Sequence, residues 1–206
     1  DTESPREVNV ELLRQKDGYF CLVDEDKPFT GTGIKYWDNG TIRAKVNYRN
    51  GILNGEWTEY TEEGKLIQKN NYKDGFLDGE CTSVYSGFED LVIFSKFHYT
   101  KGVLNGESFN YYGDNENGQI RSKWNYINGI KNGESIWYYE NGQIWYKCNY
   151  TNGKTEGEFI FYYKNGQIEE KGNYKADKKD GEWIYYSETG EITKTETYKN
   201  GELVKE

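Results

Sequence analysis

Trp137–Gly153 reads WYYENGQIWYKCNYTNG, and Phe161–Lys175 reads FYYKNGQIEEKGNYK. The two stretches say nearly the same thing 24 residues apart. Repetition at a fixed period is the sequence signature of a repeat array, and it decides the fold before any local reading does. A Gly-Glu pair marks the period. It recurs at Gly55, Gly79, Gly106, Gly133, Gly157 and Gly181, with a degenerate first copy at Gly31. The spacings are 24, 24, 27, 27, 24 and 24, so seven units cover 31–206.

The interior of each unit repeats too. A turn glycine follows nine residues after most starts (Gly40, Gly64, Gly142, Gly166, Gly190) and is displaced to Gly118 in the fourth unit. Two residues later comes an aliphatic, such as Ile42, Leu66, Ile120, Ile144, Ile168 or Ile192. Then comes a tyrosine: Tyr48, Tyr72, Tyr99, Tyr126, Tyr150, Tyr174, Tyr198. Asn-Gly between alternating residues is a strong hairpin signal, and period two with aromatic and β-branched enrichment predicts strands. The fold expected is all-β: an elongated, twisted antiparallel meander of about seven hairpins in a single layer. With a strand near Tyr19–Val23 this gives about 15 strands. Residues 1–30 read as a leader with a capping strand, and EVNVELLRQ (7–15) as strand rather than helix.

Two hairpin registers compete. A two-residue turn at Asn141–Gly142 puts Tyr139 opposite Ile144. A type I turn with Gly142 in a bulge puts Tyr138 there. The second is preferred, because it is expected to gather Ile136, Tyr138, Ile144 and Tyr150 on one face and bury more surface.

Composition fits an array better than a globule. Apolar residues make up 34% of the 206, and mean hydropathy is -1.02. Aromatics reach 17%, with 20 Tyr and 6 Trp, so rings carry the packing of an ordered chain. Net charge is -9 and the pI near 4.9, which disfavours nucleic acid and anionic membranes and favours basic partners. No apolar run reaches about 18 residues, so no membrane-spanning segment is expected. The chain holds no Met and so lacks an initiator. It reads as processed or trimmed, with export (periplasm, cell surface or secretion) slightly favoured over the cytoplasm. Cys21, Cys81 and Cys148 have no metal-binding spacing. Cys81 and Cys148 fall five strands apart, about 24 Å, whereas a disulfide needs Cα atoms within ~7 Å. Three free thiols are expected.

The segments GEWTEYTEEGKLIQKNNYKDGFLDGE (55–80), GESIWYYENGQIWYKCNYTNGKTEGE (133–158) and YYKNGQIEEKGNYK (162–175) resemble the MORN repeat variant of bacteria, whose arrays are commonly labelled YwqK-family antitoxins. KDGYFCLVDEDKPFTGTGIKYWDNG (16–40) is similar to the lead-in that precedes such arrays. The resemblance implies consecutive hairpins. It also implies a binding protein with no catalytic residues, an antitoxin or immunity protein being one form.

No enzyme motif is expected to act, and no cofactor or metal is called for. His98 is the lone histidine and stands where other units carry Asn47, Asn71, Asn125, Asn149 and Asn173, so it reads as a repeat variant. The row Glu56, Glu80, Glu107, Glu134, Glu158, Glu182 reads as a solvated ladder, since acid–base catalysis needs a carboxylate pair in a pKa-shifting pocket. The sharper features are two. Units three and four each carry three extra residues, which puts Phe88, Leu91 and Val92 in one expected turn and Asp114 in the next. Insertions on one face of an array often mark its binding face. The variable aromatics, Trp137, Trp145, Phe161 and Tyr185 among them, are expected on the face opposite the recurring set, where such rings anchor interfaces. The function expected is a non-enzymatic protein-binding scaffold, as an antitoxin acting on a basic toxin. The alternative is an exported surface or envelope protein that mediates adhesion or partner contact. Open end strands also invite pairing between two copies.

Overall fold

A computed structural model describes residues 6–86, 91–113 and 118–204. The described residues are all-β, apart from one turn of 3-10 helix. It divides into two compact units, 1–103 and 104–206.

The first unit opens with β1 (Arg6–Asn9), the 3-10 turn (Val10–Leu12), β2 (Leu13–Lys16) and β3 (Tyr19–Leu22). EVNVELLRQ is therefore two strands split by a turn, which Asn9 starts by accepting the Glu11 backbone N–H at 3.0 Å. The hairpins follow: β4 (Gly31–Tyr36), β5 (Ile42–Arg49), β6 (Ile52–Tyr60), β7 (Leu66–Lys73), the two-residue β8 (Phe76–Leu77), β9 (Gly79–Ser86) and β10 (Leu91–Thr100). They pair antiparallel in chain order.

The leader departs from the single-layer expectation. β3 joins β2 in a separate two-stranded sheet, and β1 pairs parallel with β4. Leu22 and Phe29 are buried against Tyr48, with Val8, Leu13, Phe20, Val46 and Leu53 around them. Nothing in the alternation of residues 7–22 announces a parallel partner. The leader makes a second layer because its apolar side chains find Gly33, whose missing Cβ leaves room for Val10 and Leu13.

After β11 (Val103–Leu104), the second unit runs β12 (Gly106–Tyr111), β13 (Ile120–Ile127), β14 (Ile130–Lys131), β15 (Gly133–Tyr138), β16 (Ile144–Thr151), β17 (Lys154–Tyr162), β18 (Ile168–Lys175), β19 (Lys178–Tyr186), β20 (Ile192–Lys199) and β21 (Glu202–Leu203). From β12 on, it too is an antiparallel meander.

The bulged register is the one adopted. Tyr138 pairs with Ile144, the ladder slips between Trp137 and Tyr138, and the Gly142 N–H donates to the Tyr139 carbonyl at 2.9 Å. Tyr162 with Ile168 and Tyr186 with Ile192 repeat it. The two-residue turn occurs at the other end of each repeat. Asn152 and Gly153, at φ 50 and 81, join β16 to β17, and both positive angles match the strand twist. The Gly of each Gly-Glu pair lies in a wide bulge. Opposite it the recurring Asn fills the gap: Asn47 Nδ2 donates to the Glu56 carbonyl at 2.8 Å, and Asn71 Nδ2 to that of Glu80 at 2.6 Å. Successive repeats are tied by hydroxyls as well. Tyr139 Oη donates to the Tyr162 carbonyl at 2.7 Å, and Tyr163 Oη to that of Tyr186 at 2.8 Å. Cys21, Cys81 and Cys148 are buried, free thiols.

Candidate functional site

Cross-strand partners share a face, so the register sorts the side chains of the second unit. One face carries two parallel rows. The first runs Ser108, Trp124, Ser135, Cys148, Phe159, Gly172, Trp183, Glu196. It mixes small and large members, and the small ones are covered: Ser108, Ser135 and Cys148 are buried, and a Cβ on Gly172 would clash with the Trp183 indole. The second row runs Asn110, Ser122, Trp137, Tyr146, Phe161, Glu170, Tyr185, Lys194.

The rings of the two rows touch. Trp137 stacks on Tyr146 at 4.3 Å and 14°, and Tyr146 lies parallel to Phe161 at 6.1 Å. Trp145, the extra residue of the bulge and 38% exposed, meets both Tyr146 (5.1 Å) and Phe161 (5.8 Å) edge-on. Phe159 reaches Trp183 at 5.7 Å, and Trp183 reaches Tyr174 at 5.2 Å and Tyr198 at 6.4 Å. Burial raises the phenol pKa of Tyr146 well above its ordinary value. Burial, with Cys148 beside it, carries Tyr150 to about 12. Hydrogen bonding to Tyr185 and then Glu196 carries Tyr198 to about 12. At neutral pH these phenols are uncharged donors on an apolar surface.

Two lysines stand on this face, each over three rings. Lys131 Nζ is 5.2 Å from Trp124, 5.8 Å from Trp137 and 5.3 Å from Tyr150. Lys179 Nζ is 3.8 Å from Trp183, 5.5 Å from Tyr185 and 5.4 Å from Tyr198. Beside Lys131 lies a cleft of about 380 Å³, lined by Tyr112, Arg121, Ser122, Trp124, Trp137 and Trp145 among others.

Four of the residues singled out in the sequence therefore come together: Trp137, Trp145, Phe161 and Tyr185 share this face. The recurring tyrosines share it too, which corrects the expected division of the faces. Tyr150, Tyr174 and Tyr198 lie with the variable aromatics, while Ile136 and Tyr138 lie opposite. The one-residue bulge at Trp145, repeated in the sister hairpins, shifts the parity that simple alternation assumes between Ile144 and Tyr150. Phe88 and Asp114 lie outside the described residues. Leu91 and Val92 are not in a turn: they open β10, level with Ser86 and Tyr85, so part of the third-unit insertion lengthens a hairpin. Sequence reasoning missed Trp124, Tyr146, Lys131 and Lys179 as members of one surface. Their signal is parity, each lying an even number of residues from a unit's tyrosine or directly across the ladder from one.

In each unit the glutamates of the Gly-Glu pairs lie on the face opposite the recurring tyrosines. Glu56 pairs with Lys69 at 2.5 Å, Glu80 with Lys96 at 3.4 Å and Glu107 with Lys123 at 2.5 Å, all solvent-accessible, as a solvated ladder requires. His98 is exposed at its Asn-equivalent position.

A family model described as MORN repeat variant matches residues 29–50, 53–74, 131–152, 155–176 and 179–200, together more than half of the chain. A search of the curated proteins gave no match. Among solved structures, a porin-like protein from Bacteroides uniformis is similar at 8% identity over 78% of this chain and 86% of that one, with a TM-score of 0.18.

Proposed function

Since the chain belongs to the MORN repeat variant family, we propose that it is a non-enzymatic repeat scaffold that binds a protein partner on the aromatic face of residues 104–206. The observation that carries this reading is the unbroken contact of rings from Trp124 through Trp137, Tyr146, Phe161 and Phe159 to Trp183 and Tyr198. Large Trp and Tyr side chains on a rigid sheet lose little entropy on binding and dominate interface energetics. In the first unit the leader covers part of the equivalent face, with Phe20 against Tyr48 at 5.1 Å. In the second unit half-buried rings and the exposed Trp145 remain on it.

Net charge -9 supports the more specific form, an antitoxin that neutralises a basic toxin through direct contact. A native pull-down from the source cell tests the binding reading. The intact chain is compared with a Phe161→Ser, Tyr185→Ser double variant of unchanged circular dichroism. A single partner held by the intact chain and lost by the variant is the expected result. Equal recovery by both would remove this face from the account.

A further inference from the structure

The two lysine cages are the same device 48 residues apart. Lys131 corresponds to Lys179, Trp137 to Tyr185 and Tyr150 to Tyr198. The third ring comes from opposite partners of one cross-strand pair. In one cage Trp124 stands on β13 beside Ser135. In the other, Gly172 stands on β18 beneath Trp183 of β19. That cross-strand pair thus holds one indole and one small residue in each cage, exchanged between strands.

The cages differ in one respect. Lys179 has a carboxylate partner, Glu170, at 3.6 Å, and also donates to Tyr185 Oη at 3.2 Å. The residue equivalent to Glu170 in the first cage is Ser122, 2% exposed. Among the described residues, neither Lys131 nor Arg121 has an ion pair and no carboxylate lines the cleft they share. In a chain of net charge -9 this is a local excess of positive charge with aromatic walls. The indole Nε1–H of Trp124, itself 8% exposed, is buried in that wall without a partner among the described residues.

We propose that the cleft takes a carboxylate from the protein partner. The carboxylate belongs to an Asp or Glu side chain carried beside an apolar one, and it fills the place that Glu170 occupies in the sister cage. The inference rests on the protein-binding reading above and gives that partner a chemical signature. The Lys131 ammonium and the Arg121 guanidinium supply charge-assisted hydrogen bonds. Trp137, Trp145 and Tyr112 take the apolar neighbour. A neutral amide in the same place forfeits the charge-assisted contribution, which is worth about tenfold or more in affinity.

The test uses the full chain and follows its indole N–H resonances as three probes are added: a short peptide holding a Glu–Phe pair, its Gln–Phe analogue, and galacturonate. The Glu peptide is expected to saturate and to move Trp124, Trp137 and Trp145, with the Gln analogue about tenfold weaker. Lys131→Gln removes the discrimination by removing the ammonium. Ser122→Glu removes it by supplying a carboxylate in cis, and circular dichroism and a thermal melt establish that each variant is folded. Equal binding of the Glu and Gln peptides would overturn the carboxylate site and leave the protein-binding face standing. Discrimination that survives in both folded variants, or no binding of the Glu peptide, would also overturn the site. Galacturonate moving these indoles where the Glu peptide does not would overturn the protein source, and the protein-binding reading with it.

Discussion

The indole of Trp183 lies directly on Gly172, its cross-strand neighbour, so that a methyl added at Gly172 would come within 2.3 Å of a ring carbon. Trp183 is fully buried as a result, although it belongs to the face that carries the exposed Trp145. Its Nε1–H donates to the Asn173 carbonyl at 3.2 Å. A thin sheet with few aliphatics builds its core this way, by laying a ring over a residue with no side chain.

Gly172→Ala is therefore expected to destabilise the chain by overpacking, by about 1–3 kcal/mol. The clash is with the body of a large, buried ring that has nowhere to move. Urea unfolding followed by circular dichroism measures the loss. A neutral result would mean that the indole shifts freely and is not held by the sheet.

The turn from β18 to β19 breaks the pattern of the others. Ala176 and Asp177 occupy it at φ 49 and 67, where most sister turns have Asn or Asp followed by Gly. An alanine in the left-handed region costs about 1–2 kcal/mol that Asn largely avoids. Ala176→Asn should stabilise the chain by up to about 1 kcal/mol, read as a raised urea midpoint. Its backbone N–H keeps its bond to Glu156 Oε2, now 2.8 Å.

Tyr150 and Tyr198 hold their protons to about 12, against 10.0 for an ordinary phenol. Between those values the folded chain binds more protons than the unfolded chain. Stability from these groups is complete below pH 10 and is lost as pH rises toward about 12. Tyrosinate absorbance should show a late-titrating class in the folded chain that merges with the rest in urea. Tyr150→Phe should remove part of that class and flatten the alkaline loss of stability. An unchanged alkaline profile in the variant would count against the burial argument.

Periodicity carried most of the fold. The Gly-Glu spacing located the strands, but Asn-Gly left two registers open. The preference for the bulged one, which pairs Tyr138 with Ile144, agrees with the structure, although the grouping with Tyr150 behind it does not. The leader was less legible, because its parallel pairing depends on Gly33 leaving space that only the assembled sheet defines. The faces were misassigned for a related reason. Trp145 is an extra residue between Ile144 and Tyr146, so strict alternation from Ile144 across it sends Tyr150 to the wrong side. The lysine cages were hidden further still. Lys131 and Trp124 are seven residues apart on different strands and meet only through the ladder, so neither the charge nor the ring looks unusual alone.

The most direct test of the central claim uses the 6 Trp as reporters, since each indole N–H gives its own resonance. Trp124, Trp137, Trp145 and Trp183 lie in the second unit, whereas Trp37 and Trp57 lie in the first, with Trp37 Nε1 donating to the Tyr60 carbonyl at 3.0 Å. The partner recovered by the intact chain is titrated into it and the six signals are followed. Binding on the aromatic face predicts that Trp137 and Trp145 move most while Trp37 and Trp57 stay in place. Movement confined to Trp37 and Trp57 would contradict the account.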